Sequence, residues 1–110
     1  MEFLESTTSA KGQQMITVRI EHQIKSFEAW KRAFDADPVD RQGSGVRRYQ
    51  VFRPLDDPAF VMIDLDFDTA GQAADFLTSM RRVWASPQAA PALGGVPRAS
   101  VVQTVETVSL

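Results

Sequence analysis

The sequence predicts an α+β fold in which four strands and two helices follow one another in the order β-α-β-β-α-β. Apolar and polar residues alternate over residues 16–21 and again over residues 60–67, which is typical of strands with one buried face. A stripe of apolar residues with helical spacing follows each of these two segments. Two further strand-like segments complete the set, and this order forms a four-stranded antiparallel sheet with both helices on one face.

The first half of the predicted domain places one helix between two strands. Ser26 is a suitable N-cap for this helix, because its hydroxyl can accept a bond from the first turn. The apolar stripe of the helix contains Phe27, Trp30 and Phe34. Pro38 is expected to interrupt the helix, and the second strand is predicted over residues 46–53.

The second half begins with the most regular strand pattern of the chain, over residues 60–67. Thr69 and Gln72 then form a capping box, in which the Gln72 side chain is expected to reach back to Thr69. The stripe of the second helix contains Ala73, Phe76, Leu77, Met80 and Trp84. Ser86-Pro87 predicts a short further helix, and the last strand is predicted from about Ala99 to Val108. The predicted fold is therefore ferredoxin-like.

The chain of 110 residues is long enough for one domain. Residues 1–14 are polar and show no apolar period, so we expect a flexible leader there and a single domain over residues 15–110. No apolar run approaches the roughly 20 residues of a membrane-spanning helix, and the start of the chain has no signal-peptide pattern. These features predict a cytoplasmic protein.

Composition excludes several kinds of chemistry. The chain contains no Cys and one His, so disulfides, thiolate nucleophiles, Cys-based zinc sites and two-His metal sites cannot be built from it. We therefore expect no metal and no cofactor. Twelve Lys and Arg against 14 Asp and Glu give a net charge of -2, which argues against nucleic acid or a membrane surface as a partner.

Several segments resemble one family. The segment from His22 to Trp30, followed by Phe34-Asp35, resembles the opening of small dimeric α/β-barrel proteins of the antibiotic-biosynthesis-monooxygenase-like group. Gly45-Val46 and residues 66–69 fit the same pattern, and the resemblance covers about residues 15–108. It implies that two protomers pack sheet to sheet into a barrel, with a pocket between each sheet and its helices.

The chain departs from the catalytic patterns of this group. Haem-degrading relatives use an Asn, a Trp and a His, and quinone-forming oxygenases combine Asn, Trp, Tyr and Arg, whereas this chain contains no Asn. Chlorite-dismutase-like members need a proximal His on a longer chain. The resemblance therefore implies the fold and leaves the catalytic set incomplete.

Three residues are candidates for a ligand site. His22 titrates near neutrality and lies where a strand meets a helix, so it is the candidate catalytic base or ligand-binding group. Its strand parity with Ile16, Val18 and Ile20 instead favours a His that lines the core and only satisfies neighbouring backbone groups. Tyr49 is a possible phenol donor into a cavity, and Trp84 can wall a pocket or lie in a dimer contact. Trp30 is expected in the core.

Asp64 and Asp66 share one face of the third predicted strand. Two carboxylates so placed can do acid–base work or hold a hard cation. Ion pairing across strands with Arg47, Arg48 or Arg53 is the favoured interpretation.

Three functions remain open at this point. The first is a homodimeric α/β-barrel protein with an apolar pocket for a small organic, hydrophobic or aromatic ligand. The second is a cofactor-independent monooxygenase-type enzyme in which His22 is the base, and the third is a structural dimerisation module without a ligand. The predicted interface is the sheet face without helices, where Phe60 and Met62 lie. The last strand is expected to close the barrel with four valines: Val101, Val102, Val105 and Val108.

Overall fold

The structure is a computed structural model that describes residues 15–110, apart from the side chains of Ala90 and Pro91. The predicted leader over residues 1–14 lies outside the described residues. The elements are β1 (Ile16–Gln23), α1 (Phe27–Ala36), β2 (Arg48–Phe52), β3 (Phe60–Phe67), α2 (Ala70–Trp84), a 3₁₀ helix (Pro87–Ala92) and β4 (Arg98–Gln103). No helix within residues 15–110 is long and apolar enough to cross a membrane.

The four strands form one antiparallel sheet in the order β2-β3-β1-β4. The two central strands pair along their whole length, from Ile16 opposite Phe67 to Gln23 opposite Phe60. Alternate residues of β3 are buried, so one face of the sheet is covered and the other is not. This arrangement confirms the predicted ferredoxin-like βαββαβ fold.

The core lies between the covered sheet face and α2. Most of it consists of alternate residues of β1 and β3 together with the inner stripe of α2: Val18, Ile20, Val61, Ile63, Leu65, Phe67, Ala73, Phe76 and Leu77. The rings of Phe67 and Phe76 pack at 5.2 Å between centroids. Helix α2 thus lies directly on the sheet.

Both predicted helix starts are confirmed. The Ala29 N–H donates to Ser26 Oγ, and the Gln72 N–H donates to Thr69 Oγ1, each over 3.1 Å. The second half of the predicted capping box is wrong, since within the described residues the Gln72 side chain forms no bond to the Thr69 N–H. It packs instead against Gly45, where an added Cβ would come 3.0 Å from it and where φ is +103°.

Helix α1 ends where Pro38 predicts. Its C-cap residue Asp37 takes the left-handed conformation with φ of 54°, and its N–H donates to the Phe34 carbonyl over 3.1 Å. A turn-rich loop then leads to β2.

Strands β2 and β4 are shorter than predicted. The last strand ends at Gln103 rather than at Val108, because its neighbour β1 begins at Ile16, the residue that pairs with Gln103. Beyond that pair, within residues 15–110, only the Thr104 N–H bonds back, to the carbonyl of Met15. The residues that follow have high β-propensity, but the described part of the chain contains no strand that pairs with them.

The helix-free face of the sheet is charged at its centre. Arg19 binds Asp64 through two hydrogen bonds of 2.9 Å, and Arg48 binds Asp66 over 2.8 Å. The ion-pair interpretation is confirmed for Asp66, whereas Asp64 pairs with β1 instead of with any of the three predicted arginines. Its register opposite Arg19 explains the difference.

Apolar side chains occupy one end of this helix-free face. Phe60 and Met62 lie there as predicted, and Phe52 joins them from β2 opposite Met62. The helix-free face therefore carries apolar groups at this end beside the ion pairs at its centre.

Removal of the α2 cap is expected to destabilise the fold. Thr69→Ala leaves the Gln72 N–H without its acceptor and should lower the free energy of unfolding by about 1 kcal/mol. Urea denaturation measures this. Thr78→Ala on the exposed side of the same helix is the control and should be neutral or slightly stabilising, because Ala is the better helix former. Equal losses in both variants would contradict the cap's role.

Candidate functional site

A cavity of about 570 Å³ lies between the sheet and the helices. It exists because the two helices lie at different distances from the sheet. Helix α2 closely approaches β1, β3 and β4, whereas the backbone of α1, within the described residues, closely approaches only the 3₁₀ helix. The space under α1 is the cavity.

The cavity is predominantly apolar. Its floor comes from the sheet, and its walls come from α1 and α2: Ile20, Ile63, Leu65, Trp30, Phe34, Phe76, Met80 and Trp84. Ala92 and Leu93 close one end. Both tryptophans of the chain therefore line it.

The 3₁₀ helix and the residues after it are fastened to the end of β1. Ile24 and Leu93 form an isolated antiparallel bridge, and the Gly94 N–H donates to the Gln23 carbonyl over 2.8 Å. An added Cβ at Gly94 would come 3.0 Å from the backbone of Ile24, so this close approach requires glycine.

His22 lies on the helix-covered face at the end of β1 and is 4% exposed. Its Nδ1 is 2.9 Å from the Gln23 carbonyl oxygen. Because a carbonyl can only accept, Nδ1 carries a proton and donates it. Burial lowers the pKa of His22, and the Gln23 carbonyl partly opposes this shift.

The other ring nitrogen of His22 is therefore an acceptor. At neutral pH the depressed pKa keeps the imidazole uncharged, and with the proton on Nδ1 the lone pair is on Nε2. No protein donor to Nε2 is found among residues 15–110. His22 is among the residues that line the cavity.

Aromatic rings connect His22 to the far wall of the cavity. The Trp30 ring lies 6.4 Å from the imidazole and 4.9 Å from the Phe34 ring, measured between centroids. Trp30 is 5% exposed, so its predicted core position is confirmed, and it lines the cavity as well.

The structure separates the three predicted ligand-binding residues. His22 and Trp84 line the same cavity, whereas Tyr49 does not. The Tyr49 ring packs edge-on against Phe34 at 5.1 Å and borders a second, polar cavity of about 470 Å³. Phe34 thus lies between Tyr49 and the larger cavity.

Sequence reasoning missed Arg41, which borders both cavities. Its guanidinium carbon lies 3.8 Å from the centroid of the Phe34 ring, and its Nη1 donates to the Phe34 carbonyl over 2.7 Å. The residue lies in an irregular loop, where no periodic pattern assigns side chains to a face. Only its aromatic neighbourhood in space identifies it.

No cluster of three or more metal-ligating side chains occurs in the part of the chain that the structure describes. Asp64 and Asp66, the two carboxylates considered for a cation, each bind an arginine. Their charge is neutralised within the sheet.

Burial of His22 predicts a pH dependence of stability. Because the folded-state pKa is below the ordinary 6.5, the unfolded state binds more protons between the two values. The free energy of unfolding should therefore fall as the pH is lowered from 6.5 through the folded-state pKa, by at most about 1.4 kcal/mol per pH unit. Urea denaturation of the protein and of His22→Gln at several pH values isolates this contribution. Parallel stability curves would contradict it.

Comparisons with known proteins place the fold. No family model matches the chain, and no curated protein matches its sequence. Solved structures do match, among them the NE2512 protein of unknown function from Nitrosomonas europaea. It is 13% identical with a TM-score of 0.66, and the match covers 90% of this chain and 97% of that one.

Two further structures carry descriptions of function or assembly. A monooxygenase from the gene ActVA-Orf6 of Streptomyces coelicolor, in complex with the ligand Nanaomycin D, is 11% identical with a TM-score of 0.61, over 89% of this chain and 94% of that one. A dimeric ferredoxin-like protein from an uncultured marine organism is 10% identical with a TM-score of 0.59, over 86% and 99%. At such identities the likeness concerns the fold. The chain thus has the ferredoxin-like fold shared by antibiotic-biosynthesis-monooxygenase-like and dimeric ferredoxin-like proteins.

Proposed function

We propose that this protein binds a small, mainly apolar organic molecule in the cavity under α1 and works as a homodimer. The observation that carries the proposal is the cavity of about 570 Å³ lined by His22, whose Nε2 has no protein donor among residues 15–110. Sites for small molecules have volumes of roughly 300–1,000 Å³ and combine apolar walls with a few oriented polar groups. Close-packed interiors leave few voids larger than a water molecule.

His22 and Trp84 are the proposed ligand contacts from the predicted set. His22 accepts a hydrogen bond from an O–H or N–H group of the ligand, and Trp84 supplies apolar area. Tyr49 contributes indirectly, because its ring packs against Phe34, which itself lines the cavity.

A cofactor-independent oxygenase is the second candidate function. The unprotonated Nε2 is suited to remove a proton from a bound substrate, which leaves a carbanion able to react with oxygen. The fold likeness to the Streptomyces coelicolor monooxygenase supports this reading. Formation of an oxidised product from a substrate in air would distinguish the oxygenase from a protein that only binds the molecule. A protein that binds no small molecule would be the third alternative, a structural dimerisation module.

The homodimer is proposed from the surfaces that one protomer leaves uncovered. Phe52 on the helix-free face is 40% exposed, and in the segment after β4 Val105 and Val108 are 89% and 63% exposed. Two-fold pairing of helix-free faces would bury the apolar end of each sheet and let the C-terminal segment reach its partner. The charged centre suits such pairing, because a face that carries both signs can complement its copy.

Ligand binding is tested with N-phenyl-1-naphthylamine, a neutral fluorophore that carries one N–H donor. It should bind in the cavity, gain emission and quench Trp30 and Trp84 by energy transfer. Ala33→Phe, on the cavity wall, should weaken binding by about tenfold or more, because the added ring occupies ligand space. Ala74→Phe, on the exposed side of α2, is the matched control. An unquenched titration, or equal losses in both variants, would contradict the proposed site.

Dimerisation is tested by sedimentation equilibrium at micromolar concentration. The protein should be a dimer with an interface above roughly 2,000 Å² in total. Met62→Asp, on the helix-free face, should shift it to monomer, because the new carboxylate would be buried without a partner. Leu55→Asp adds the same charge at a fully exposed apolar residue and should leave the dimer intact. A stable folded monomer of the unaltered chain would contradict the homodimer.

A further inference from the structure

Both charged side chains that line the cavity, among the described residues, are positive. They are Arg41 and Arg82, and none of the lining residues is Asp or Glu. A cavity with apolar walls and cationic side chains attracts an anion, since Coulomb interactions strengthen where water is scarce.

Arg41 is held from several sides. Its backbone N–H donates to Asp37 Oδ1 over 2.9 Å, and its carbonyl accepts from the Val46 N–H over 3.0 Å. Its Nη1 donates to the Phe34 carbonyl over 2.7 Å, and its guanidinium stacks on the Phe34 ring. The side chain is 13% exposed. Binding to this guanidinium therefore costs little further side-chain entropy.

One edge of the Arg41 guanidinium has no protein acceptor among the described residues. Within residues 15–110, only Nη1 has protein partners, namely the Phe34 carbonyl and, at a longer 3.4 Å, Asp37 Oδ1. In Arg19 the corresponding Nε–Nη2 edge binds Asp64 through two bonds of 2.9 Å. The same edge of Arg41 can therefore form charge-assisted bonds to an anion.

We propose that the ligand is an apolar carboxylate and that Arg41 is the residue that selects it. The carboxylate binds the Nε–Nη2 edge in the two-pronged geometry that guanidinium groups favour. The apolar body of the ligand extends into the cavity along Phe34 and Trp30, toward His22. Asp37 beside Nη1 partly offsets the Arg41 charge, which favours a single negative charge over the two of a phosphate. The inference rests on the proposed binding function and names the class of its ligand.

Arg82 is the weaker binder of the two arginines. It lies exposed on the last turn of α2, where water screens its charge. Its contribution should be long-range attraction rather than a fixed contact.

The test uses three probes of one shape: 2-naphthoate, 2-naphthamide and 2-naphthylmethylammonium. Each displaces N-phenyl-1-naphthylamine from the protein at neutral pH and low salt. Naphthoate should bind about tenfold or more tightly than naphthamide, and the ammonium probe most weakly. Arg41→Gln should bring the affinity for naphthoate within about twofold of that for naphthamide, and the ratio of these two affinities is the readout. Arg32→Gln makes the same change at an exposed residue of α1 and should preserve the preference.

The outcomes separate this inference from the proposed function. Equal affinity of the unaltered protein for naphthoate and naphthamide would overturn the carboxylate proposal and leave the binding function standing. Loss of the preference in Arg82→Gln but not in Arg41→Gln would overturn the role of Arg41. No binding by any probe or by N-phenyl-1-naphthylamine would overturn both. If Arg41→Gln does not fold, Arg41→Lys replaces it in the test. Lysine keeps the positive charge but lacks the paired donors of the guanidinium, so this variant should lose most of the preference for naphthoate over naphthamide.

Discussion

The Gln23 carbonyl oxygen accepts two hydrogen bonds, and much of the proposed site depends on them. One comes from the Gly94 N–H and fastens the segment that closes the end of the cavity. The other comes from Nδ1 of His22 and determines which ring nitrogen keeps its lone pair. A single backbone acceptor at the end of β1 thus links the shape of the cavity to the chemistry of its wall. Both lone pairs of the carbonyl oxygen are used.

The cavity exists because the two helices lie at different distances from the sheet. Helix α2 lies on the sheet through small and large apolar residues, with Ala73 and Phe76 fully or nearly fully buried. Helix α1 rests on the 3₁₀ helix and reaches inward only with its long aromatic side chains, Trp30 among them. A four-stranded sheet with two helices at unequal depth therefore combines a packed core with a cavity. The helix-free face is the proposed interface with a second protomer.

The elements of this fold could be predicted because their periods are local. Strand β3 has the predicted bounds, since its alternation is unbroken and β1 pairs with it along its whole length. Strand β4 could not be bounded, because its end depends on where β1 begins. The partner of Asp64 depends likewise on register, which a sequence pattern does not contain.

The site could be predicted only in part, for a related reason. Strand parity places both His22 and Tyr49 on the helix-covered face, but parity does not show that Phe34 stands between Tyr49 and the cavity. Arg41 follows a left-handed Asp37 and lies in a loop without a period, so its stacking on Phe34 is a property of turn geometry. Residues of this kind are identified from the three-dimensional structure, because their neighbours are distant in sequence or lie in an irregular segment.

The protonation of the single imidazole tests the account most directly. In untagged protein labelled with ¹⁵N-histidine, His22 contributes the only pair of ring-nitrogen resonances. At pH 7 the account predicts a protonated Nδ1 and an unprotonated Nε2, and it predicts that saturating N-phenyl-1-naphthylamine shifts the Nε2 resonance as its N–H donates to that nitrogen. An imidazolium, a proton on Nε2, or resonances that stay in place while the fluorophore is bound would contradict it.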